Sequence, residues 1–239
     1  MVRHRVLPGS SGFDSHPEFL LRSINENSRV GHSQIPYYIG ICLYPPGIRR
    51  VFFMLKMRDL QEVPVLFDLM AHPEVFPFVR HKATTSDEFY FLTKQTIEAE
   101  ERGELISRTI IDEYQQPIGT INLFDIEDNY GFLATWIGQP YFGKGYNRPA
   151  KDAFFYELFM EHAIDGIFMK VRKSNERSKK AVLKLPYITF ANDVYPQMYQ
   201  RVNGPDDIYD LFVITKEHYL SYQQFQMDIP VESTGEEVS

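Results

Sequence analysis

The chain has 239 residues, 44% hydrophobic and 24% charged, which suits one ordinary domain with a sizeable core, or a domain plus an appendage. A net charge of −7 argues against a general nucleic-acid binder, and the single cysteine, Cys42, excludes an intrachain disulfide and a cysteine cluster for zinc. No apolar run reaches the length of about 18 residues that a membrane-spanning helix needs, and the N-terminus lacks an uninterrupted apolar signal core, so a reducing cytoplasm is the expected location.

Residues 1–50 differ from the rest. All six of their basic residues are Arg, and with Asp14, Glu18 and Glu26 they carry +3, leaving −10 on the remainder. Five of the 15 prolines and a Pro-Gly-Ser-Ser-Gly run at 8–12 fall here, and the only apolar run, Ile35 to Tyr44, is broken by Pro45-Pro46. A poorly ordered extension is expected, with Met54 or Met57 as a possible working start of the domain. From Val51 to Met57 the pattern predicts a strand. Arg58 and Asp59 then open a helical segment through Leu60, Val63, Leu66 and Met70, in which Pro64 fits only near a first turn. Thr85-Ser86-Asp87-Glu88 is a capping-box signature for a helix over 87–102, ended by Gly103. Strands are predicted at 106–112, 118–124 and 130–137. A glycine loop follows, then a helix from about 149 to 162, a strand at 167–171, a helix at 175–185, a strand at 207–215 and a final helix or turn at 216–225. The acidic stretch 226–239 is expected to be disordered. The working domain is therefore 51–225. Its order implies an α/β protein with antiparallel meanders and at least one parallel crossover around the glycine loop.

That loop, within Thr-Trp-Ile-Gly-Gln-Pro-Tyr-Phe-Gly-Lys-Gly-Tyr-Asn at 135–147, is the most informative stretch. An apolar strand runs into a glycine turn, and a helix opens behind it with Ala153, Phe154, Leu158 and Phe159 at helical spacing. Glycine admits close approach of the backbone, the first helical N–H groups have no intrahelical partner, and the helix dipole favours negative charge at that end. Lys144 adds a cation. The combination suits a phosphate-bearing ligand, although a plain strand-to-helix turn has the same spacing. It is neither a Walker loop nor a dinucleotide fingerprint.

Elsewhere the signals are weaker. The seven histidines show no metal-ligand spacing. Seven basic residues between Lys170 and Lys184 read as a phosphate-facing patch or a solvated face.

Taken together, residues 54–222 resemble the GNAT superfamily of N-acetyltransferases, most closely its RimJ/RimL-type branch. Leu55-Lys56-Met57-Arg58-Asp59-Leu60 is similar to the family's opening strand and first helix, and Ile118-Gly119-Thr120-Ile121-Asn122-Leu123 to its central hairpin strand. Phe142-Gly143-Lys144-Gly145-Tyr146-Asn147 resembles its pyrophosphate loop. Asn175-Glu176-Arg177-Ser178, followed by Ala181 and Leu185, resembles its N-x-x-S helix. Phe142 and Asn147 depart from the loop's usual ends, and Leu185-Pro186-Tyr187 stands where the family usually has Leu-Gly-Phe.

The resemblance implies a mixed, mostly antiparallel sheet flanked by helices. It implies acetyl transfer from acetyl-CoA, a co-substrate, to a primary amine of a small molecule, a peptide N-terminus or a protein lysine, with no metal. A catalytically weak CoA-binding or regulatory module is the alternative. Backbone groups of Thr135, Trp136 and Ile137 would pair with the pantetheine arm, and Phe142, Gly143, Lys144, Gly145, Tyr146 and Asn147 would hold the pyrophosphate. Asn175 and Ser178 would contact the cofactor, with Ser178 also placed to protonate the departing thiolate. Asp125, Glu127 and Asp128 are candidate bases, Asp125 first, and Tyr146 and Tyr187 are candidate proton donors. A monomer or homodimer is expected, with no membrane or nucleic-acid partner.

Overall fold

In this computed structural model, the backbone is described for residues 18–22, 37–43 and 49–228, and the side chains for residues 54–225. The described strands are β1 (Glu18–Arg22), β2 (Tyr37–Leu43), β3 (Arg49–Met57), β4 (Ile106–Ile111), β5 (Pro117–Glu127), β6 (Tyr130–Ile137), β7 (Gly166–Arg172), β8 (Thr189–Phe190) and β9 (Tyr209–Thr215). They form one sheet in the order β1-β2-β3-β4-β5-β6-β7-β9-β8. Every neighbouring pair is antiparallel except β6 and β7. The helices are α1 (Val63–Met70), α2 (Ser86–Glu101), α3 (Asn147–Met160), α4 (Glu176–Val182), α5 (Pro196–Asn203) and α6 (Lys216–Asp228). Among the described residues no helix is long and apolar enough to cross a membrane.

The sequence order stands, with two additions. Inside the stretch 1–50, expected to be a poorly ordered extension, the apolar run includes β2, which pairs with β3 over Tyr37↔Lys56 to Leu43↔Arg49 and carries β1 on its far side. The other residues of 1–48, and the acidic tail from 229, lie outside the described residues. Between Leu185 and Asp207, where the pattern is silent, the chain forms β8 and α5. Local chemistry explains the predicted boundaries. Thr85 Oγ1 accepts from the Glu88 N–H at 3.2 Å, and the Glu88 carboxylate reaches back to the Thr84 N–H at 2.7 Å, so the capping box closes one residue further upstream than its usual form. Gly103, at φ +74, ends that helix in the left-handed region.

Strand alternation sorts the helices onto two faces. On one face Ile121, Leu123, Ile167, Met169 and Ile214 pack against Phe154, Phe155, Leu158 and Phe159 of α3, with Val182 of α4 and Tyr219. On the other, Trp136 meets α1 and Phe89 of α2, and Phe132, Phe168 and Leu211 meet α5. Polar groups seal the first strand-to-helix corner. Lys56 Nζ lies 2.5 Å from Glu62, which accepts from Thr109 at 2.6 Å, and Asp59 caps the Gln61 N–H at 2.9 Å.

Gly119 shows why the central hairpin motif carries glycine. A Cβ there would lie 2.2 Å from the Trp136 carbonyl oxygen on the paired strand, so any side chain pushes β5 off β6. Gly119→Ala is expected to lower stability by about 3 kcal/mol in a denaturant titration.

Candidate functional site

The two strands of the parallel pair do not run together for long. β6 and β7 share register only over Tyr130↔Gly166, Gly131↔Ile167 and Phe132↔Phe168. Beyond Phe132 and Phe168 they diverge. Leu133 to Ile137 and Met169 to Arg172 therefore face each other across an open wedge, each strand paired only on its outer side. A cleft of about 1010 Å³ fills the wedge and reaches both faces of the sheet.

One mouth of the cleft is the glycine loop. Gly143 (φ +73) and Gly145 (φ +88) occupy the left-handed region, with nothing within 4 Å of where a Cβ would stand. The first backbone N–H of α3 with a backbone acceptor is that of Ala150, bonded to Tyr146 at 3.2 Å. Those of Gly143, Gly145, Tyr146, Asn147 and Arg148 have none among the described residues, and Pro149 has no N–H to satisfy. These donors lie at the positive end of a 14-residue helix. Thr135 Oγ1 is buried in the wedge with no hydrogen-bond partner among the described residues.

Most of the expected site residues line this cleft: Thr135, Trp136, Ile137, Phe142, Gly143, Gly145, Tyr146, Asn147, Asn175 and Ser178. Two do not. Lys144 turns outward over the Tyr141 ring, 5.5 Å from its centroid. Asp125 sits at φ +52 beyond the regular pairing of β5, and both its oxygens accept from Arg80, at 2.8 and 2.6 Å. Its carboxylate is held at the rim by a guanidinium, not directed inward.

The other expected residues carry structural duties as well. Asn175 Oδ1 accepts from the Ser178 N–H at 3.1 Å and so caps α4, while Ser178 Oγ has no partner among the described residues. Tyr146 donates to Glu113 at 2.6 Å, and burial, then that bond, push its pKa well above the ordinary phenol value. Phe142 lies under Arg177, whose guanidinium carbon is 4.0 Å from the ring centroid, and this joins α4 to the loop. Tyr187 is buried in the core and donates to Asp152 of α3 at 2.5 Å. The Leu-Pro-Tyr departure is thus a clasp between α3 and the segment after α4.

Three cleft residues escaped the sequence reading. His81 sits edge-on to Phe124 with centroids 5.0 Å apart, and Arg80 covers the same ring at 4.7 Å. Burial and then Arg80 hold the His81 imidazole below its ordinary pKa, against the pull of Asp125. Lys151, one turn into α3, is 6% exposed and lines the cleft without an ion-pair partner among the described residues. Burial lowers its pKa to about 8, with only Asp152 opposing. Its place four residues after Asn147, on the stripe of Phe154, Phe155 and Leu158, was the available signal.

A folded-state pKa below the unfolded value means that the unfolded chain binds the extra proton between about pH 8 and 10.5. Stability should therefore rise across that window, by up to about 3 kcal/mol. Lys151→Met should abolish the rise and leave the ligand-free protein more stable at pH 7, as read by thermal unfolding from pH 7 to 10.5.

Comparison with known proteins agrees with this geometry. Residues 54–187 match the acetyltransferase (GNAT) domain family. No curated protein matches the chain significantly. Among solved structures, the nucleotide-linked sugar GNAT FdhC aligns at TM-score 0.58 and 15% identity, covering 72% of this chain and 92% of its own. A ribosomal-protein-S5-alanine acetyltransferase from Vibrio fischeri aligns at TM-score 0.55 and 15% identity, covering 70% and 95%. RimL, a ribosomal alpha-N-protein acetyltransferase solved with coenzyme A, aligns at 0.53 and 16%, covering 68% and 93%. The last two accord with the RimJ/RimL-type motifs. The chain belongs to the GNAT family of acetyl-CoA-dependent N-acetyltransferases.

Proposed function

We propose that this acetyltransferase receives its acceptor amine at the α1–α2 face of the wedge, opposite a cofactor held at the α3–α4 face. The observation that carries the reading is the divergence of β6 and β7 beside the free N-terminus of α3. The residues present fit acetyl-CoA: two glycines with open Cβ positions, five unpaired backbone donors, the buried Thr135 hydroxyl and the buried Lys151 ammonium. Bound there, acetyl-CoA supplies an activated thioester carbonyl, and direct attack by an amine requires no enzyme nucleophile.

The protein's own groups then have separable roles. The edges of Thr135 to Ile137 pair with the pantetheine arm as a strand would, and the loop Phe142 to Asn147 binds the phosphates. Ser178, with its hydroxyl unengaged, donates toward the departing thiolate. Tyr146, tied to Glu113, serves as wall and loop brace in place of an acid. His81 takes the amine proton, because its lowered pKa keeps it neutral at pH 7 and able to accept. Asp125 acts through Arg80, which it fixes beside His81.

The acceptor is a primary amine of a small molecule, and a cytoplasmic monomer or homodimer is the working form. FdhC is described as acting on nucleotide-linked sugars and RimL on a ribosomal protein, so one fold serves very different acceptors. The acceptor must be argued from this chain's own residues.

His81→Ala is expected to lower kcat by about 100-fold or more, with the KM for acetyl-CoA unchanged. In the wild type kcat/KM should fall as pH drops through the lowered His81 pKa. Steady-state thiol release between pH 5 and 8 checks both. An unchanged acid limb in His81→Ala would assign the base elsewhere.

A further inference from the structure

The charge of the cleft is unlike that of the molecule. In a chain of net charge −7, ten Lys and Arg residues line the cleft and no Asp or Glu does. Strand and helix positions divide these cations between the two faces. Arg148, Lys151, Arg177, Lys180 and Lys184 stand on or just after α3 and α4, around the glycine loop, where the phosphates of CoA account for them. The acceptor face holds a second set that CoA leaves unused.

That second set is built by alternation along β7. Ile167, Met169 and Val171 enter the α3 core, and Phe168 enters the opposite core beneath α5. Lys170 and Arg172 follow Phe168 on its face, and they are the two exposed residues of a strand otherwise buried throughout. The wedge makes this possible, since β6 has already turned away at their level. Lys170 Nζ stands 5.7 Å from the ring centroids of both Phe132 and Tyr209, and the Arg172 guanidinium 5.5 Å from Tyr209. Neither forms an ion pair with a carboxylate among the described residues, and the acidic group that acts on Lys170 from nearby is Asp125, already bonded to Arg80. Two others of the basic run 170–184 are neutralised, Lys173 by Asp207 at 2.5 Å and Lys179 by Asp210 at 2.6 Å. Arg80 joins Lys170 and Arg172 at the same mouth, partly neutralised by Asp125, and burial and Arg80 both depress the Lys170 pKa.

We infer that the acceptor is a small amine carrying an anionic group, a carboxylate or a phosphate, which docks on Lys170 and Arg172 while its amine faces the wedge. This rests on the acetyltransferase reading and narrows its substrate class. Two physical arguments support it. A mouth where Lys170, Arg172 and Arg80 outnumber the one rim carboxylate, Asp125, repels polyamines and lysine side chains, and attracts anions from solution. The same cations also destabilise an ammonium beside them, so the bound amine loses its proton more readily, as attack on a thioester requires.

The test uses full-length protein, acetyl-CoA and three amines of matched size: 2-aminoethanol, 3-aminopropanoate and 2-aminoethyl phosphate, with spermidine as a cationic control. Either anionic amine should exceed 2-aminoethanol and spermidine in kcat/KM by about ten-fold or more. The advantage should shrink at high salt. In Lys170→Met/Arg172→Met it should fall toward unity, while the thermal shift with acetyl-CoA is retained. The better of the two anionic amines tells carboxylate from phosphate. Equal use of 2-aminoethanol or spermidine, or an anionic preference that survives the double variant, would overturn the inference. If no amine turns over, calorimetry on CoA-loaded protein separates the two readings. Selective binding of the anionic amines upholds anion docking at Lys170 and Arg172 and counts against these particular amines as acceptors, whereas no preference among the amines removes the inference.

Discussion

The site depends on one interruption in the sheet. Three register pairs hold β6 to β7, and then the strands part. A sheet that stayed paired would bury these edges in ladder bonds and leave no room between α3 and α2. The parting exposes the backbone of Leu133 to Ile137 on one edge beside the free N-terminus of α3, which is where the proposed cofactor would pair as a strand and set its charged end. Everything around it keeps it from closing. Phe154, Phe155, Leu158 and Phe159 fix α3 on one face, and Tyr130, Phe132 and Phe168 stack below the fork with centroids 5.5 Å apart in each pair with Phe168. Tyr187, clasped to Asp152 and set edge-on to Tyr219 and Tyr222, holds the segment after α4 against α3.

The wedge also organises charge. An open fork between two strands is a low-dielectric slot with few carboxylates of its own, and cations at its rim focus a positive field inside it. Lys151 states the cost most plainly. A buried ammonium without a partner is unfavourable in the ligand-free protein, and an arriving anion relieves that strain. Stability is given up in the resting fold and recovered on binding, a common arrangement at functional sites.

Much of this was legible in the sequence, for identifiable reasons. The capping box at Thr85 to Glu88, the glycine-ended helix and the strands at 106–137 obey local rules, and the structure follows them. The glycine loop was readable because φ > 0 and close backbone approach leave a mark in residue type. What escaped was set by distant contacts. β8 and α5 are tied to the backbone of β9 by side chains of their own stretch, with Asn192 accepting from the Leu211 N–H at 2.8 Å and Asn203 from the Tyr209 N–H at 2.7 Å, and no periodicity announces them. Asp125 was placed by its nearness to the hairpin, yet Arg80, 45 positions away in the chain, decides where it points. Lys170 looked like part of one basic run until strand alternation put it on the face opposite α4.

The central claim is that the glycine loop beside the wedge is the cofactor cradle. The most direct measurement is thermal unfolding of the full-length protein with and without acetyl-CoA, beside Gly145→Glu. That variant sets a carboxylate at a φ of +88, where phosphate oxygens are expected. With acetyl-CoA at 100 times its dissociation constant, the wild type should gain about 2.7 kcal/mol of stability and the folded variant almost none. A folded wild type that gains nothing, or a variant that gains as much, would contradict the account.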